Sequence, residues 1–383
     1  MIRILEYGAL TATRGGVESY IHNQIVCLSE KSEKNKEIQF DFLVPNEDEK
    51  LAYEDELKEY GCKFYRGYRR WKDSFFGHYV DLYRFFKSHY KDYDIAAANY
   101  LDLQNINFLI MAKLFGLKTI AHSHNSNVNR NFKYRIMVTL NRMLAIFFID
   151  YLFACSSVAA RWMFGDILLK LKKHHYTQIN NRIDAQKFKF SFIKRNKMRK
   201  KLNIPSDTIV VGQTGRMTPQ KNPIGIVDIF YEFQKLHPNA YLILIGDGEL
   251  KDEIIKKIKY YGIESKTLLP GSQSNISDWL QTFDVFLFPS LYEGLPVSLV
   301  EAQAAGLKCF VSDTIPSQSF ITKLCYVYSL NSSAVDWAKG INQECNYKRY
   351  DMSKEIYEKG FDTNGLREYY LELYMKIKDN KIL

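Results

Sequence analysis

Two glutamates, Glu293 and Glu301, lie on either side of a predicted helix start in the segment SLYEGLPVSLVEAQAAG, residues 290–306. The segment follows an apolar run typical of a strand, and Pro296 suits the first turn of a helix. Free amide groups at a helix N-terminus bind anions, and Gly294 lets the backbone approach a ligand closely. We therefore expect a phosphate to bind here. The amide groups concerned are those of Leu295, Val297 and Ser298.

Glu301 lies five residues beyond Pro296, which is roughly 7–8 Å along the axis at about 1.5 Å per residue. This distance matches the separation between the phosphates and the ribose of a nucleotide. A carboxylate there can accept hydrogen bonds from both ribose hydroxyls, while Glu293 can meet the group beyond the phosphates. In the alternative interpretation neither glutamate binds a ligand: one lies on the surface, and the other is stabilised by the helix dipole near the helix N-terminus.

A second loop, GQTGRMTPQKNP at 212–223, follows another predicted strand and carries Arg216 and Lys221. Arginine offers a forked donor and lysine a point charge, a combination that suits a diphosphate. The loop does not match the P-loop pattern. A solvated basic loop is the alternative interpretation.

Two loops of the first half also follow predicted strands. ALTATRGGVESY at 9–20 places Gly15 and Gly16 at a helix start, where the backbone can approach a phosphate or sugar. The G-x-G-x-x-G pattern of dinucleotide-binding enzymes is absent. TIAHSHNSN places His122 and His124 directly after a strand, where a binding cleft is expected.

The elements that must position these loops are short apolar strands alternating with amphipathic helices. This alternation predicts parallel sheets covered by helices, an α/β fold whose ligands bind beyond the carboxyl ends of the strands. The predicted strands are Ile2–Tyr7, Ile38–Val44, Ile95–Ala98, Lys118–Ala121, Tyr151–Ala154, Ile209–Gln213, Tyr241–Ile245, Thr267–Leu269, Val285–Phe288 and Lys308–Val311. A further strand is predicted to end near Ile179, and the alternation then pauses near 180–186, which predicts a domain boundary.

Bulk properties narrow the possible function classes. A length of 383 residues predicts two domains, and a net charge of +10 favours anionic partners such as nucleotides, nucleic acid or acidic lipid. The six cysteines lack metal-site spacing and are expected to be reduced thiols. We expect no signal peptide, no spanning helix and no metal site, and therefore a cytoplasmic protein.

Taken together, the loops resemble glycosyltransferase family four, the retaining GT-B enzymes, and most strongly the bacterial branch that builds capsular polysaccharide and exopolysaccharide. The resemblance extends over nearly the whole chain. The motifs that carry it are RGGVESY, AHSHN, FACSSVAARWMFG, INNRID, GRMTPQKNP, LILIGDGEL and FPSLYEGLPVSLVEAQAAGLKCFVSD.

The resemblance implies two Rossmann-like, doubly wound domains facing a central cleft, with a final helix at about 364–383 returning to the first domain. The implied domains are 1–182 with that helix, on the acceptor side, and 183–363, which binds the nucleotide sugar. The implied donor-binding residues are Gly16, Arg216, Lys221, Gly294, Leu295, Val297 and Glu301. The implied catalytic residues are Glu293 and the cleft histidine, His124, with His122 in reserve.

The implied activity is transfer of a sugar, with retained configuration, from a nucleotide diphosphate donor to a lipid-linked or growing oligosaccharide. UDP is the family's commonest carrier, and neither metal nor cofactor is implied. One departure concerns the acceptor side: relatives often carry histidines just after the strand at Ile95–Ala98, where this chain has Ala97 and Asn99.

Basic and aromatic residues are interleaved at 63–91 and 129–148, and these segments are expected to rest the protein on an anionic membrane surface at the inner face of the plasma membrane. Ordinary helix faces are the alternative. Two other functions stay open: a nucleotide-sugar binder or epimerase on the same fold, and a basic nucleic-acid-binding protein. The latter lacks a recognisable binding module.

Overall fold

The computed structural model of the chain describes residues 1–8, 10–12, 15–29, 37–45, 50–70, 73–100, 102–124, 132–364 and 366–381. The chain divides into two compact units. Unit 1 comprises Met1–Asn181 and Thr363–Leu383, and unit 2 comprises Arg182–Asp362. The segments at 9–20, 63–91, 119–127 and 129–148, which the sequence singled out, each lie partly outside the described residues.

The described part of unit 1 contains a seven-stranded parallel sheet in the order β3-β2-β1-β4-β5-β6-β7. Its strands are β1 (Ile2–Tyr7), β2 (Ile38–Pro45), β3 (Phe64–Tyr68), β4 (Ile95–Tyr100), β5 (Lys118–Ser123), β6 (Tyr151–Ala154) and β7 (Tyr176–Gln178). Its helices are α1 (Gly16–Leu28), α2 (Glu54–Lys58), α3 (Phe75–His89), α4 (Asn107–Leu114), α5 (Phe132–Phe148), α6 (Ser157–Leu171) and α15 (Arg367–Lys378).

Side chains of the unit 1 sheet alternate between two buried apolar clusters, as the period of a strand requires. In β4, for example, Ile95 belongs to one cluster and Ala96 to the other. Helix α15 packs into the cluster that contains Ile95. The phenol oxygen of its Tyr374 accepts a 2.6 Å hydrogen bond from the Gln24 amide of α1. The last helix is therefore part of the core of unit 1.

The described part of unit 2 contains a six-stranded parallel sheet in the order β10-β9-β8-β11-β12-β13. Its strands are β8 (Val210–Thr214), β9 (Tyr241–Ile245), β10 (Thr267–Gly271), β11 (Val285–Phe288), β12 (Lys308–Ser312) and β13 (Cys325–Tyr328). Its helices are α7 (Ala185–Phe188), α8 (Phe192–Lys201), α9 (Pro223–Leu236), α10 (Lys251–Tyr261), α11 (Ile276–Thr282), α12 (Val297–Ala304), α13 (Ala334–Glu344) and α14 (Ser353–Glu358).

The predicted α/β architecture of two parallel sheets is thus confirmed, while strands β3 and β13 were not predicted. Because all strands of a parallel sheet end at one edge, the loops after the neighbouring strands β8 and β11 leave unit 2 side by side. The loops after β1, β4 and β5 likewise share one edge of unit 1. None of the helices in the described ranges is long and apolar enough to cross a lipid bilayer.

Candidate functional site

The loops after β8 and β11 in unit 2 are hydrogen-bonded to each other. The Leu291 amide donates to the Gln220 carbonyl at 2.8 Å, and the Asn222 side-chain amide donates to the Pro289 carbonyl at 3.2 Å. Asn222 also caps α9: its backbone is left-handed (φ 50°, ψ 49°), and its side chain accepts from the Gly225 amide. The cap therefore fixes the basic loop against the segment that carries both predicted glutamates.

Lys221 and Glu293 form an ion pair across these two loops, with 2.6 Å between Nζ and Oε1. Both side chains are shielded, with 17% of the lysine and 6% of the glutamate side chain exposed. The Lys221 ammonium also lies 4.9 Å from the centre of the Phe288 ring, and the Gln220 amide donates to the other oxygen of Glu293 at 3.3 Å. Lys221, which was predicted to bind the phosphates, and Glu293, which was predicted to face the sugar, are therefore in direct contact with each other.

Arg216 projects from a turn that two glycines hold against the loop after β9. The Gly215 amide donates to the Ile245 carbonyl at 2.9 Å, and the Met217 amide donates to the Asp247 carbonyl at 2.8 Å. A Cβ on Gly246 would lie only 2.0 Å from the Gly215 carbonyl oxygen, so a side chain there would push the turn away. The backbone around Arg216 is fixed, while its side chain is exposed.

Helix α12 begins at Val297, with Pro296 as the residue just before it. The prediction that Pro296 occupies the first helical turn is therefore wrong by one residue, because its extended backbone (φ −74°, ψ 111°) makes it the N-cap. The neighbouring residues Gly294, Leu295 and Val297 are buried. The approach to the helix N-terminus is thus a packed turn and not a loose loop.

Glu301 lies in α12 and is partly buried. Burial raises the pKa of its carboxyl to about 8, and the positive charge of Lys187 opposes this shift. Among the described residues, its carboxyl makes no hydrogen bond or ion pair. A shielded carboxyl without a protein partner is typical of ligand-binding positions.

In unit 1, α1 begins at Gly16, as predicted, and Tyr20 of its next turn packs against both predicted histidines. His124 follows β5, whereas His122 lies within this strand and not after it as predicted, because β5 extends to Ser123. The Tyr20 ring centre lies 4.9 Å from that of His122 and 5.0 Å from that of His124. The two imidazole centres are 4.0 Å apart. Burial lowers the pKa of both imidazoles, that of His124 to about 3, so both are neutral near pH 7.

Three further polar residues contact the predicted ones directly or through one another, and two of them had no signal in the sequence. Gln220 supports Glu293, and in unit 1 Glu6 and Asn99 form a buried chain with His124. Asn99 had a signal, because its position departs from the family pattern, whereas Glu6 resembles any residue of a strand. Within the described ranges, no group of three or more metal-binding side chains occurs.

The predicted residues therefore form one group in each unit. Gly16, His122 and His124 adjoin α1 and β5 of unit 1. In unit 2, Lys221 and Glu293 are in direct contact, Arg216 stands on the loop of Lys221, and Glu301 on the helix that follows Glu293. This second group can present two cations, helix amides and a carboxyl at one edge of a sheet, a set of contacts that fits a nucleotide diphosphate.

In a comparison with known proteins, the site residues of unit 2 lie within a segment that matches a family model. Residues 194–359, most of unit 2, match the family model of glycosyl transferases group 1. Putative glycosyltransferase EpsF of Bacillus subtilis is 28% identical over 361 residues, which cover 91% of this chain and 90% of EpsF. A UDP-Gal:alpha-D-GlcNAc-diphosphoundecaprenol alpha-1,3-galactosyltransferase of Escherichia coli is 34% identical over 140 residues, 35% of this chain and 36% of that enzyme.

Among solved structures, HepE of Anabaena in complex with UDP-glucose superposes with a TM-score of 0.78. The alignment covers 98% of this chain and 100% of HepE, at 17% sequence identity. At this identity the likeness establishes the fold, which is the GT-B fold that the resemblance implied.

Proposed function

We propose that this protein is a glycosyltransferase that moves a sugar from a nucleotide diphosphate, most simply UDP, to a lipid-linked or growing oligosaccharide in capsule or exopolysaccharide synthesis. The segment that matches glycosyl transferases group 1 and the likeness to GT-B structures support this proposal. The observation that carries the proposal is the contact between Lys221 and Glu293. It joins the cationic loop to the start of α12, where an anion is favoured.

In this proposal the donor spans the loops of unit 2. Arg216 and Lys221 hold the diphosphate together with the amides of Gly294, Leu295 and Val297. Glu301 accepts hydrogen bonds from the ribose, and Glu293 faces the donor sugar. The cations and amides offset the charge that develops on the departing diphosphate, so the proposed reaction uses no metal ion and no cofactor.

The proposed reaction retains the configuration of the donor sugar. The bond between the anomeric carbon and the phosphate oxygen breaks, and the acceptor oxygen bonds to that carbon from the same face. The acceptor proton passes to the departing diphosphate. Glu293, His124 and His122 bind and orient the sugars in this scheme, and none of them forms a covalent intermediate.

The nature of the acceptor is supported by one relative and by nothing in the site itself. The Escherichia coli enzyme with 34% identity acts, by its name, on a diphosphoundecaprenol-linked sugar. A lipid-linked acceptor is therefore the first substrate to test with this chain.

A panel of nucleotide sugars and nucleoside diphosphates tests the donor by thermal shift. We expect at least one uridine donor to raise the melting temperature, and we expect transfer to a lipid-linked oligosaccharide with release of nucleoside diphosphate only when the acceptor is present. Release without acceptor would indicate hydrolysis, and an isomerised sugar without acceptor would indicate an epimerase. Absence of any shift across the panel would contradict the proposal.

We also propose that unit 1 rests on an anionic membrane surface through α5. Viewed along this helix, at about 100° per residue, its exposed apolar side chains fall within an arc of roughly 120° opposite the buried ones. They are Phe132, Ile136, Leu140, Met143, Leu144 and Phe147. Helix α5 contains no acidic residue, and Lys133 and Arg135 are exposed on it. An apolar face with flanking cations fits an acidic lipid leaflet.

Replacing Leu140 and Phe147 together by serine is expected to reduce binding to anionic vesicles by more than about tenfold, since each buried apolar side chain contributes roughly 1.5–3 kcal/mol. Sedimentation with vesicles containing phosphatidylserine at low salt measures the effect. Ile193→Ser is the control, because Ile193 is an exposed apolar residue of α8 in unit 2. Equal loss in both variants, or no binding by the unaltered protein, would contradict the proposal.

A further inference from the structure

A buried polar chain connects the ends of three neighbouring strands in unit 1. The Asn99 side-chain NH2 donates to a Glu6 carboxyl oxygen at 2.6 Å, and Asn99 Oδ1 lies 2.7 Å from His124 Nε2. All three residues are at least nine-tenths buried, since they are 4%, 6% and 8% exposed in the order Glu6, Asn99, His124. Strands β1, β4 and β5 are adjacent in the sheet, so the chain runs along its carboxyl edge.

The direction of these hydrogen bonds determines which nitrogen of His124 carries the proton. A carboxylate only accepts hydrogen bonds, so Glu6 turns the NH2 group of Asn99 toward itself and the amide oxygen toward the imidazole. The amide oxygen also only accepts, and His124 must therefore donate through Nε2–H. A neutral imidazole has one N–H, which leaves Nδ1 as an acceptor with a free lone pair.

Nδ1 of His124 is buried and has no hydrogen-bond partner among the described residues, and the same is true of Nε2 of the neighbouring His122. Unpartnered buried acceptors are costly and call for an explanation. A lone pair on a neutral ring repels phosphate and carboxylate oxygens but accepts a hydrogen bond from a hydroxyl. The chemistry of His124 Nδ1 thus fits a hydroxyl group and not an anion.

We propose that Glu6 and Asn99 are positioning residues that hold His124 as its Nε2–H tautomer, so that Nδ1 accepts a hydrogen bond from a hydroxyl of a bound sugar. The positioning part stands on unit 1 alone, whereas the sugar part rests on the proposed glycosyltransferase function.

The environment of this chain is consistent with a neutral imidazole. Burial lowers the pKa of His124 to about 3, and burial raises the pKa of Glu6 to about 8 against the opposing effect of the Asn99 hydrogen bond. Tyr374 of α15 is a further titratable neighbour of Glu6; burial raises the pKa of its phenol, and the negative charge of Glu6 adds to this shift. When Glu6 is protonated, its carbonyl oxygen can still accept from Asn99 and preserve the same orientation.

NMR of protein labelled with 15N in the histidine rings tests the tautomer without any substrate. We expect the unaltered protein to show a protonated Nε2 and an unprotonated Nδ1 for His124, assigned by the signals lost in His124→Gln. Asn99→Leu should lose the single tautomer, whereas Asn99→Asp should keep it, because aspartate also accepts from Nε2–H. Glu6→Leu, which removes the acceptor that orients the Asn99 amide, should give a mixture of tautomers.

A protonated Nδ1 in the unaltered protein, or an unchanged tautomer in Asn99→Leu and Glu6→Leu, would overturn the positioning role. Circular dichroism and UDP binding establish that each variant is folded. The sugar contact is tested by adding UDP-glucose or UDP: only UDP-glucose should shift the Nδ1 resonance. Equal shifts with both ligands would refute the sugar contact, whereas failure of both to bind would contradict the proposed function and leave the tautomer result intact.

Discussion

Glu301→Ala is expected to abolish the stabilisation of the protein by UDP while the fold persists. In the proposed site this carboxylate accepts two ribose hydrogen bonds, and hydrogen bonds to charged groups contribute roughly 1.5–3 kcal/mol each. Their loss corresponds to an affinity that is lower by about two orders of magnitude or more. Isothermal titration calorimetry with UDP measures it directly.

The fold is expected to tolerate this change because the carboxyl makes no hydrogen bond or ion pair within the described residues. Glu264→Ala is the matched control: Glu264 is an exposed glutamate of unit 2 that precedes β10, at the amino edge of the sheet. Urea unfolding should give similar midpoints for both variants. If Glu301→Ala binds UDP as tightly as the control does, the ribose assignment fails.

The proposed contact between Glu301 and the ribose predicts that ligand affinity depends on pH, and the direction of this dependence follows from the raised pKa of Glu301. In the free protein the pKa of Glu301 is about 8, so most molecules carry the proton at pH 7. A ligand that needs the carboxylate must displace this proton, and its affinity should rise by up to about tenfold per pH unit until pH 8. UDP-glucose is the suitable ligand, because the charge of its diphosphate diester does not change over this pH range. Glu301→Gln should remove the slope.

The central strands of both sheets were predictable from the sequence, because each is a short apolar run between helices. Their observed bounds differ from the predicted ones by only a few residues, as for Ile95–Tyr100 against the predicted Ile95–Ala98. The missed strands, β3 and β13, both lie at the edge of a sheet. An edge strand is paired on one side only, so its sequence is not constrained to be apolar: FYRGY of β3 mixes aromatic, basic and glycine residues.

Individual site residues were predictable, but their partners were not. Lys221 and Glu293 each follow a strand, which is a local signal, whereas their contact joins positions 72 residues apart. Glu6 and Asn99 are 93 residues apart, and their contact arises from the order of β1 and β4 in the sheet. Such pairings depend on strand order and loop conformation, which neither spacing nor composition encodes.

Lys221→Met is expected to cost unit 2 roughly 3–5 kcal/mol, because it leaves the buried Glu293 carboxylate without its counter-ion. The Gln220 amide, 3.3 Å from the other Glu293 oxygen, donates a hydrogen bond but carries no positive charge to replace that of Lys221. Adding Glu293→Gln removes the uncompensated charge, and the double variant should recover most of the lost stability. Urea unfolding of the full chain for the two single variants and the double variant gives the coupling energy of the pair.

Lys235→Met provides the control, since Lys235 pairs with Glu232 on the exposed surface of α9 with more than half of the lysine side chain in solvent. Exposed pairs contribute about 0–1 kcal/mol, so this variant should unfold nearly as the unaltered protein does. Similar losses in Lys221→Met and Lys235→Met would show that the Lys221 pair does not stabilise the two loops.

Binding measurements on the same variants separate the two roles of Lys221. If the lysine also holds the diphosphate, the double variant must regain stability without regaining affinity for UDP, because methionine carries no charge to offer a phosphate. A double variant that recovers both properties would mean that Lys221 acts on the donor only by keeping the loop folded. Recovery of stability alone is the result we expect: the ion pair then maintains the lysine in place until a diphosphate competes with Glu293 for its ammonium group.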